Sequence, residues 1–261
     1  MNRPVRLTVV IAALSVGSFA GSSQAVTYLT IDPPGSTYTS PAGISGGNVV
    51  GTYQDSSGRH GFLWNGTTYT TLDAATGATY TVANGISGGN VVGAYTGADG
   101  KQHGFLWDGS TYTTLDAASG STSTTANGVS GGNVVGSYLL EGSIPHGFFW
   151  NGSTFTRLDP PESTGTEATA VSGGNVVGWY NDASGAQHGF LWDGLTYFTL
   201  DPLGWNSITP TGVSGDAVTG WYIDAAGMQH GFLAASIPEP MTMAELFCGL
   251  AALGAYIHRR K

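Results

Sequence analysis

Between residues 26 and 236 the chain runs in short stretches of β-branched and aromatic residues broken by glycine. No stretch repeats its apolar residues at helical spacing, so strands are predicted throughout. The segment Thr111-Tyr-Thr-Thr-Leu115 alternates as a half-buried strand should. Asn90-Val-Val-Gly-Ala-Tyr95 is a second run, bounded by Gly88-Gly89 on one side and by Gly97-Ala-Asp-Gly100 on the other. Read through once, residues 84–115 give four strands: 84–87, 90–95, 103–107 and 111–115. Asp108-Gly109 is then a two-residue hairpin turn of the type I′ kind.

The same four-strand pattern recurs along the body. His-Gly-Phe begins at His60, His103, His146, His188 and His230, at spacings of 43, 43, 42 and 42. A block of the form Ile/Val-Ser-Gly-Gly-Asn-Val-Val-Gly begins at Ile44, Ile86, Val129 and Val171, and degenerates to Val213-Ser-Gly-Asp-Ala-Val-Thr-Gly220. A third block ends at Asp32, Asp73, Asp116, Asp159 and Asp201, each time one residue after Leu or Ile. Four antiparallel strands every 40–45 residues predict propeller blades. The expected fold is therefore all-β: a five-bladed β-propeller over residues 26–236, with an open β-solenoid or a paired β-sandwich as the alternatives. The array begins with an isolated fourth strand, residues 26–32, and stops after a third strand at Leu233. Pairing these two ends would close a ring and remove an exposed edge; a solenoid has no use for that offset.

Glycine accounts for 42 of 261 residues, which could signal disorder, but 41% of the chain is hydrophobic and the glycines fall at fixed offsets. Disordered chains lack that apolar content, so the glycines read as turns. Only Arg59, Lys101 and Arg157 are basic within the body, against fifteen acidic residues. With no basic patch to neutralise phosphate, nucleic acid is not an expected partner. Cys248 is the single cysteine and lies in the C-terminal apolar run, so the body has no intrachain disulfide and must rely on packing.

Residues 1–25 carry a basic start at Arg3 and Arg6, an apolar stretch from Leu7 to Val16, and Ser23-Gln24-Ala25. These are the three parts of a secretory signal, with cleavage expected between Ala25 and Val26. At the other end, Ile237-Pro238-Glu239-Pro240 precedes a mostly apolar run from Met241 to Ile257, and the chain finishes with His258-Arg259-Arg260-Lys261. Seventeen helical residues reach about 25 Å, enough to span a thin bilayer, and the basic end would halt export. Residues 237–261 in this order resemble the PEP-CTERM sorting signal of Gram-negative bacteria. That resemblance implies transient membrane anchoring and processing by an exosortase-type membrane enzyme acting at Pro238, Glu239 and Pro240, with Arg259, Arg260 and Lys261 as the basic stop. It also implies a final place at the cell surface or outside the cell. The body, in turn, resembles the HAF repeats of bacterial extracellular proteins, with His-Gly-Phe in place of His-Ala-Phe. That family implies export and fold, and no established catalysis.

Five histidines at one repeat position invite a metal site, but equivalent positions in separate blades lie far apart. A hydrogen bond from each to the Leu-Asp carboxylate of the neighbouring strand is the expected role. Asp182-Ala-Ser-Gly185 and Asp224-Ala-Ala-Gly227 offer oxygen ligands, yet lack the dense carboxylate pattern of a calcium loop and read as turns. Asn65-Gly-Thr67 and Asn151-Gly-Ser153 match a glycosylation pattern, while Asp108 and Asp193 stand at the same repeat position, so turn chemistry explains all four. Trp64, Trp107, Trp150 and Trp192 recur on third strands, where packing between blades is expected and stacking on sugars is the alternative. Glu141, Glu162 and Glu167 break the repeat but form no paired-carboxylate or nucleophile motif. The expectation is an exported structural or interaction protein without catalysis, cofactor or metal. A lectin-like module binding exopolysaccharide through repeated pockets is the second reading.

Overall fold

The computed structural model describes residues 29–142 and 144–234. The expected cleavage point at Ala25 and Val26, the motif Pro238-Glu239-Pro240 and the terminal Arg259-Arg260-Lys261 lie outside the described residues. Within them all regular structure is β, in nineteen strands. No helix among the described residues is long and apolar enough to cross a membrane.

The strands fall into successive antiparallel units. The first holds β1 (Tyr38–Ser45), β2 (Asn48–Gln54), β3 (Arg59–Trp64) and β4 (Tyr69–Leu72). The second holds β5 (Tyr80–Ser87), β6 (Asn90–Thr96), β7 (Gln102–Trp107) and β8 (Tyr112–Leu115). In the third are β9 (Ser123–Ser130), β10 (Asn133–Leu139), β11 (Pro145–Trp150) and β12 (Phe155–Leu158). The fourth comprises β13 (Gly165–Ser172), β14 (Asn175–Asn181), β15 (Gln187–Trp192) and β16 (Tyr197–Leu200). The fifth has three strands, β17 (Trp205–Ser214), β18 (Ala217–Asp224) and β19 (Gln229–Ala234). Single parallel bridges, Arg59 to Tyr80 and Gln102 to Ser123, join the first three units into one sheet.

The four-strand reading therefore holds in the first four units, with one boundary of the second unit moved by more than a residue. The first strand of the second unit begins at Tyr80, four residues before the expected start. A β-bulge between Ala83 and Gly85 interrupts its pairing, and so hides the alternation upstream. The hairpin at Asp108 also differs from the expected type. Asp108 N–H bonds to Thr111 O, so the central residues are Gly109 and Ser110, and only Gly109 has positive φ, at 100°. Glycine at the first central position belongs to a type II′ loop, with Asp108 capping it from outside.

Closure by the N-terminal strand is not seen. Residues 29–37 carry no strand, and among the described residues β19 pairs with β18 alone. The core instead repeats at the joints between units. Leu72 at the end of β4 is buried among Val91, Tyr95 and Phe105 of the following unit. Leu115 stands in the same relation to Val134, Tyr138 and Phe148, and Leu158 to Val176 and Phe190. The glycine of Val-Val-Gly makes these sheets close-packed: a Cβ at Gly93 would lie 1.9 Å from Val82 O and 2.9 Å from the Phe105 ring. Nothing larger fits.

Polar joints reinforce the apolar ones. Every first strand is bulged, and in three units the bulged residue reaches the next unit's backbone. Asn84 Nδ2 donates to Ala126 O at 2.9 Å, Asn127 Nδ2 to Ala168 O at 3.0 Å, and Thr169 Oγ1 to Pro210 O at 2.6 Å. The turns after these strands add more. Asn90, Asn133 and Asn175 donate from Nδ2 to Gly131, Gly173 and Gly215 carbonyls one unit further on. In the opposite direction, Gly88, Gly131 and Gly173 N–H groups donate to Ser45, Ser87 and Ser130.

Candidate functional site

The recurrent cluster of side chains is built around the histidine of each third strand. Antiparallel register sets His60 opposite Tyr53, His103 opposite Tyr95, His146 opposite Tyr138, His188 opposite Tyr180 and His230 opposite Tyr222. The rings of each pair lie 5.1–5.4 Å apart between centroids. That spacing is normal for packed aromatic rings.

The Leu-Asp carboxylate meets Nδ1, as expected from the sequence. Nδ1 of His60 is 2.9 Å from Asp73, that of His103 is 2.9 Å from Asp116, and that of His146 is 2.9 Å from Asp159. His188 Nδ1 lies 2.7 Å from Asp201. A second carboxylate, from the end of the second strand or the loop after it, faces Nε2 in three units: Asp99 on His103 at 3.2 Å, Asp182 on His188 at 3.2 Å and Asp224 on His230 at 3.1 Å. In the first unit Ser57 Oγ stands between, 3.0 Å from His60 Nε2 and 2.6 Å from Asp55. The third unit departs from the pattern. Arg157 takes the place of a fourth-strand threonine and its guanidinium binds Asp159 directly.

The loop aspartates were read as turn formers, and they are that as well. One oxygen of Asp182 accepts from Ser184 N, Ser184 Oγ and Ala186 N while the other faces His188. Their second role was hidden because the separation from the histidine varies with loop length: five residues from Asp55, four from Asp99, six from Asp182 and Asp224. The pattern Asn/Asp-Gly after each tryptophan is capping chemistry. Asn65, Asp108, Asn151 and Asp193 each accept backbone N–H bonds from two and three residues on.

Electrostatics follow from these bonds. Burial of the His103 ring opposes its protonation, but hydrogen bonds to Asp116 and Asp99 outweigh that and hold it above its ordinary range. His188 behaves alike, between Asp201 and Asp182. The Ser184 hydroxyl, followed by His188, holds Asp182 well below the usual carboxylate range. Asp99 is lowered by the Lys101 N–H and then by His103. Each histidine is thereby consumed by structure within its own unit. Among the described residues no group of three or more His, Cys, Asp or Glu is arranged to hold a metal ion.

Two clefts adjoin this cluster. One of about 370 Å³ lies over His103, lined by Asp99, Lys101, Asp116, Ser119 and Ser121. A second, about 450 Å³, runs between the third and fourth units beside Pro160, Tyr180, Leu195 and Tyr197. The repeated tryptophans are half-buried and pack at the core: Trp107 against Tyr112, and Trp192 edge-on to Phe149 of the preceding unit at 5.3 Å.

No protein-family description matches this chain, and no curated protein does. Among solved structures, a protein assigned as TolB from Agrobacterium tumefaciens is 16% identical, with 77% of each chain covered and a TM-score of 0.55. That likeness is one of fold, a β-propeller-like succession of antiparallel units. SapL1 lectin in complex with α-methyl fucoside is 18% identical over 77% of this chain and 82% of that one, with a TM-score of 0.43. The lectin of Aleuria aurantia, a six-bladed β-propeller, is 19% identical over 60% and 59%, with a TM-score of 0.38. At that distance the two lectins say nothing about a ligand here.

Proposed function

We propose that this chain is an exported scaffold protein of the cell surface or extracellular matrix, whose five equivalent units present a repeated surface to partners. The observation that carries this reading is the placement of all five third-strand histidines inside their own units, tied to neighbouring tyrosine and aspartate. A reactive centre is a single asymmetric constellation, whereas here the same cluster is restated unit after unit as an internal tie. The signal over residues 1–25 and the resemblance of residues 237–261 to a PEP-CTERM tail support export and exosortase processing. The five successive units are then the blades of a five-bladed β-propeller.

A lectin-like role is the second reading, favoured by the sugar-sized cleft beside Tyr180 and Tyr197. Exopolysaccharide would be its ligand, with aromatic faces stacking on the sugar. Intact mass of the secreted species tests the first reading: it should begin near Val26 and end near Pro238. A secreted form retaining Arg259-Arg260-Lys261 would overturn exosortase processing. A glycan array probed with the purified chain separates the readings, since the scaffold role expects no saturable sugar and the lectin role expects one.

A further inference from the structure

The repeat is broken in several places where the third unit meets the fourth. The second-strand tyrosine that faces each histidine is at most 6% exposed in the first three units, as Tyr53, Tyr95 and Tyr138. Its counterpart in the fourth, Tyr180, is half-buried. Tyr180 forms one wall of the cleft of about 450 Å³, with Tyr197, Pro160 and Pro161 around it. The hairpin turn bordering that cleft differs as well. Leu195 stands where the other turns carry Thr67, Ser110 and Ser153, and it is 92% exposed. A leucine so exposed contributes little to the core of its own unit. The loop that supplies Pro160 and Pro161 shows a third departure. Turns at the same place in the repeat carry Gly35, Gly77, Gly120 and Gly204 at positive φ, and Glu162 takes that conformation with a φ of 65°. A side chain is held there at a backbone cost that glycine avoids.

The cleft lining combines apolar faces with hydroxyls and has no charged side chain. Pro160, Pro161, Leu195 and the two tyrosine rings offer the apolar surface. The Thr196 and Tyr197 hydroxyls have no hydrogen-bond partner among the described residues, and that of Thr199 meets Tyr180 at 3.5 Å. Burial, followed by the charge on Asp159, pushes the Tyr197 hydroxyl up to about 12, so it stays a proton donor at neutral pH. A wholly apolar occupant would strip water from these hydroxyls and leave them unpaired, which is costly. An ion would find no opposite charge in the lining. An uncharged ring with an apolar face and a hydroxylated edge satisfies both surfaces.

We propose that this joint is a single binding site for a neutral pyranose, its C–H face stacked on the exposed part of Tyr180 and a sugar oxygen accepting from the Tyr197 hydroxyl. This rests on the lectin-like reading and replaces its repeated pockets by one asymmetric site. The counterparts elsewhere lack the parts. Tyr53, Tyr95 and Tyr138 are covered, and the third unit has Phe155 and Arg157 where Tyr197 and Thr199 stand. Among the described residues the fifth unit has no fourth strand.

The test probes a glycan array of neutral and uronic-acid oligosaccharides with the full chain and three variants. Neutral sugars should be retained and acidic ones not. Tyr197→Phe keeps the ring, removes the hydroxyl and should weaken binding about tenfold without lowering the melting temperature. Leu195→Ser restores the residue of the second and third units and should weaken binding about threefold. Leu195 is exposed, so this variant folds even if Tyr197→Phe does not. Tyr112→Phe, the same change in the second unit, should leave binding as it is. Neutral-sugar binding undiminished by Tyr197→Phe and Leu195→Ser would overturn this site while the lectin-like reading stands. Equal losses from Tyr112→Phe and Tyr197→Phe would restore the repeated pockets and overturn the single site. Retention of acidic sugars in preference to neutral ones would overturn the ligand class, and binding to no sugar would overturn both the site and the reading.

Discussion

Nδ1 of His188 lies 2.7 Å from Oδ2 of Asp201, thirteen residues further along the chain, and the same offset links His60 to Asp73, His103 to Asp116 and His146 to Asp159. One hairpin length fixes that offset. The third strand, its tight loop and the four-residue fourth strand always return the carboxylate to the imidazole that began the hairpin.

Stability should depend on pH through these clamps. His103 and His188 have folded pKa values raised above the ordinary imidazole value of 6.5, so their contribution is complete below about pH 6.5 and is lost as pH climbs through the folded values. Asp99 and Asp182 are lowered from 3.8, so theirs is present above that value and is lost as pH falls through the depressed ones. Thermal melts should peak between about pH 4.5 and 6.5. The decline from pH 6 to 8 should shrink in a His103→Gln, His188→Gln variant.

Gly93→Ala should be among the most damaging single changes. Its Cβ would collide with Val82 O and the Phe105 ring, so the sheet must part or the core must shift. A loss of about 3 kcal/mol or more is expected in denaturant melts. Gly66→Ala, in open space, suffers only from its φ of 97° and should cost less.

Asn127 ties the third unit to the fourth, donating to Ala168 O at 3.0 Å and to Glu167 Oε1 at 3.1 Å. Burial pushes the Glu167 carboxyl up, and the Asn127 bond opposes that. Asn127→Ala should cost about 1–2 kcal/mol and move Glu167 further up. Carboxyl-carbon NMR titration reads the second effect separately from the first.

Chelation should leave the fold alone. EDTA is expected to change the melting temperature by no more than about a degree, because a bound metal would contribute several kcal/mol through linkage. A larger fall would point to a cation held by the loop aspartates.

What was legible in the sequence followed the constant spacings. The unit, its strands and the His-to-Asp tie all recur at fixed offsets, so repetition amplified a weak local signal into a firm one. The loop aspartates did not, because Asp99 and Asp182 sit four and six residues before their histidines on loops of different length. By sequence Asn84 reads as the start of a strand, whereas it is the bulge within one, and its amide is aimed at Ala126 O of the next unit, a partner 42 residues away that no local pattern signals. The turn at Asp108 reads one residue early in the sequence for a similar reason: a capping residue and a central turn residue have the same composition.

The Asn-to-carbonyl contacts at the turns of units two, three and four all run one way, each to the unit after it, and unit five has Ala217 where the donor asparagine would be. The joints after units two, three and four share these parts, so a whole unit could be gained or lost among them by gene duplication with little change to its neighbours. Length is thus a heritable variable in this architecture, adjustable in steps of 42 or 43 residues.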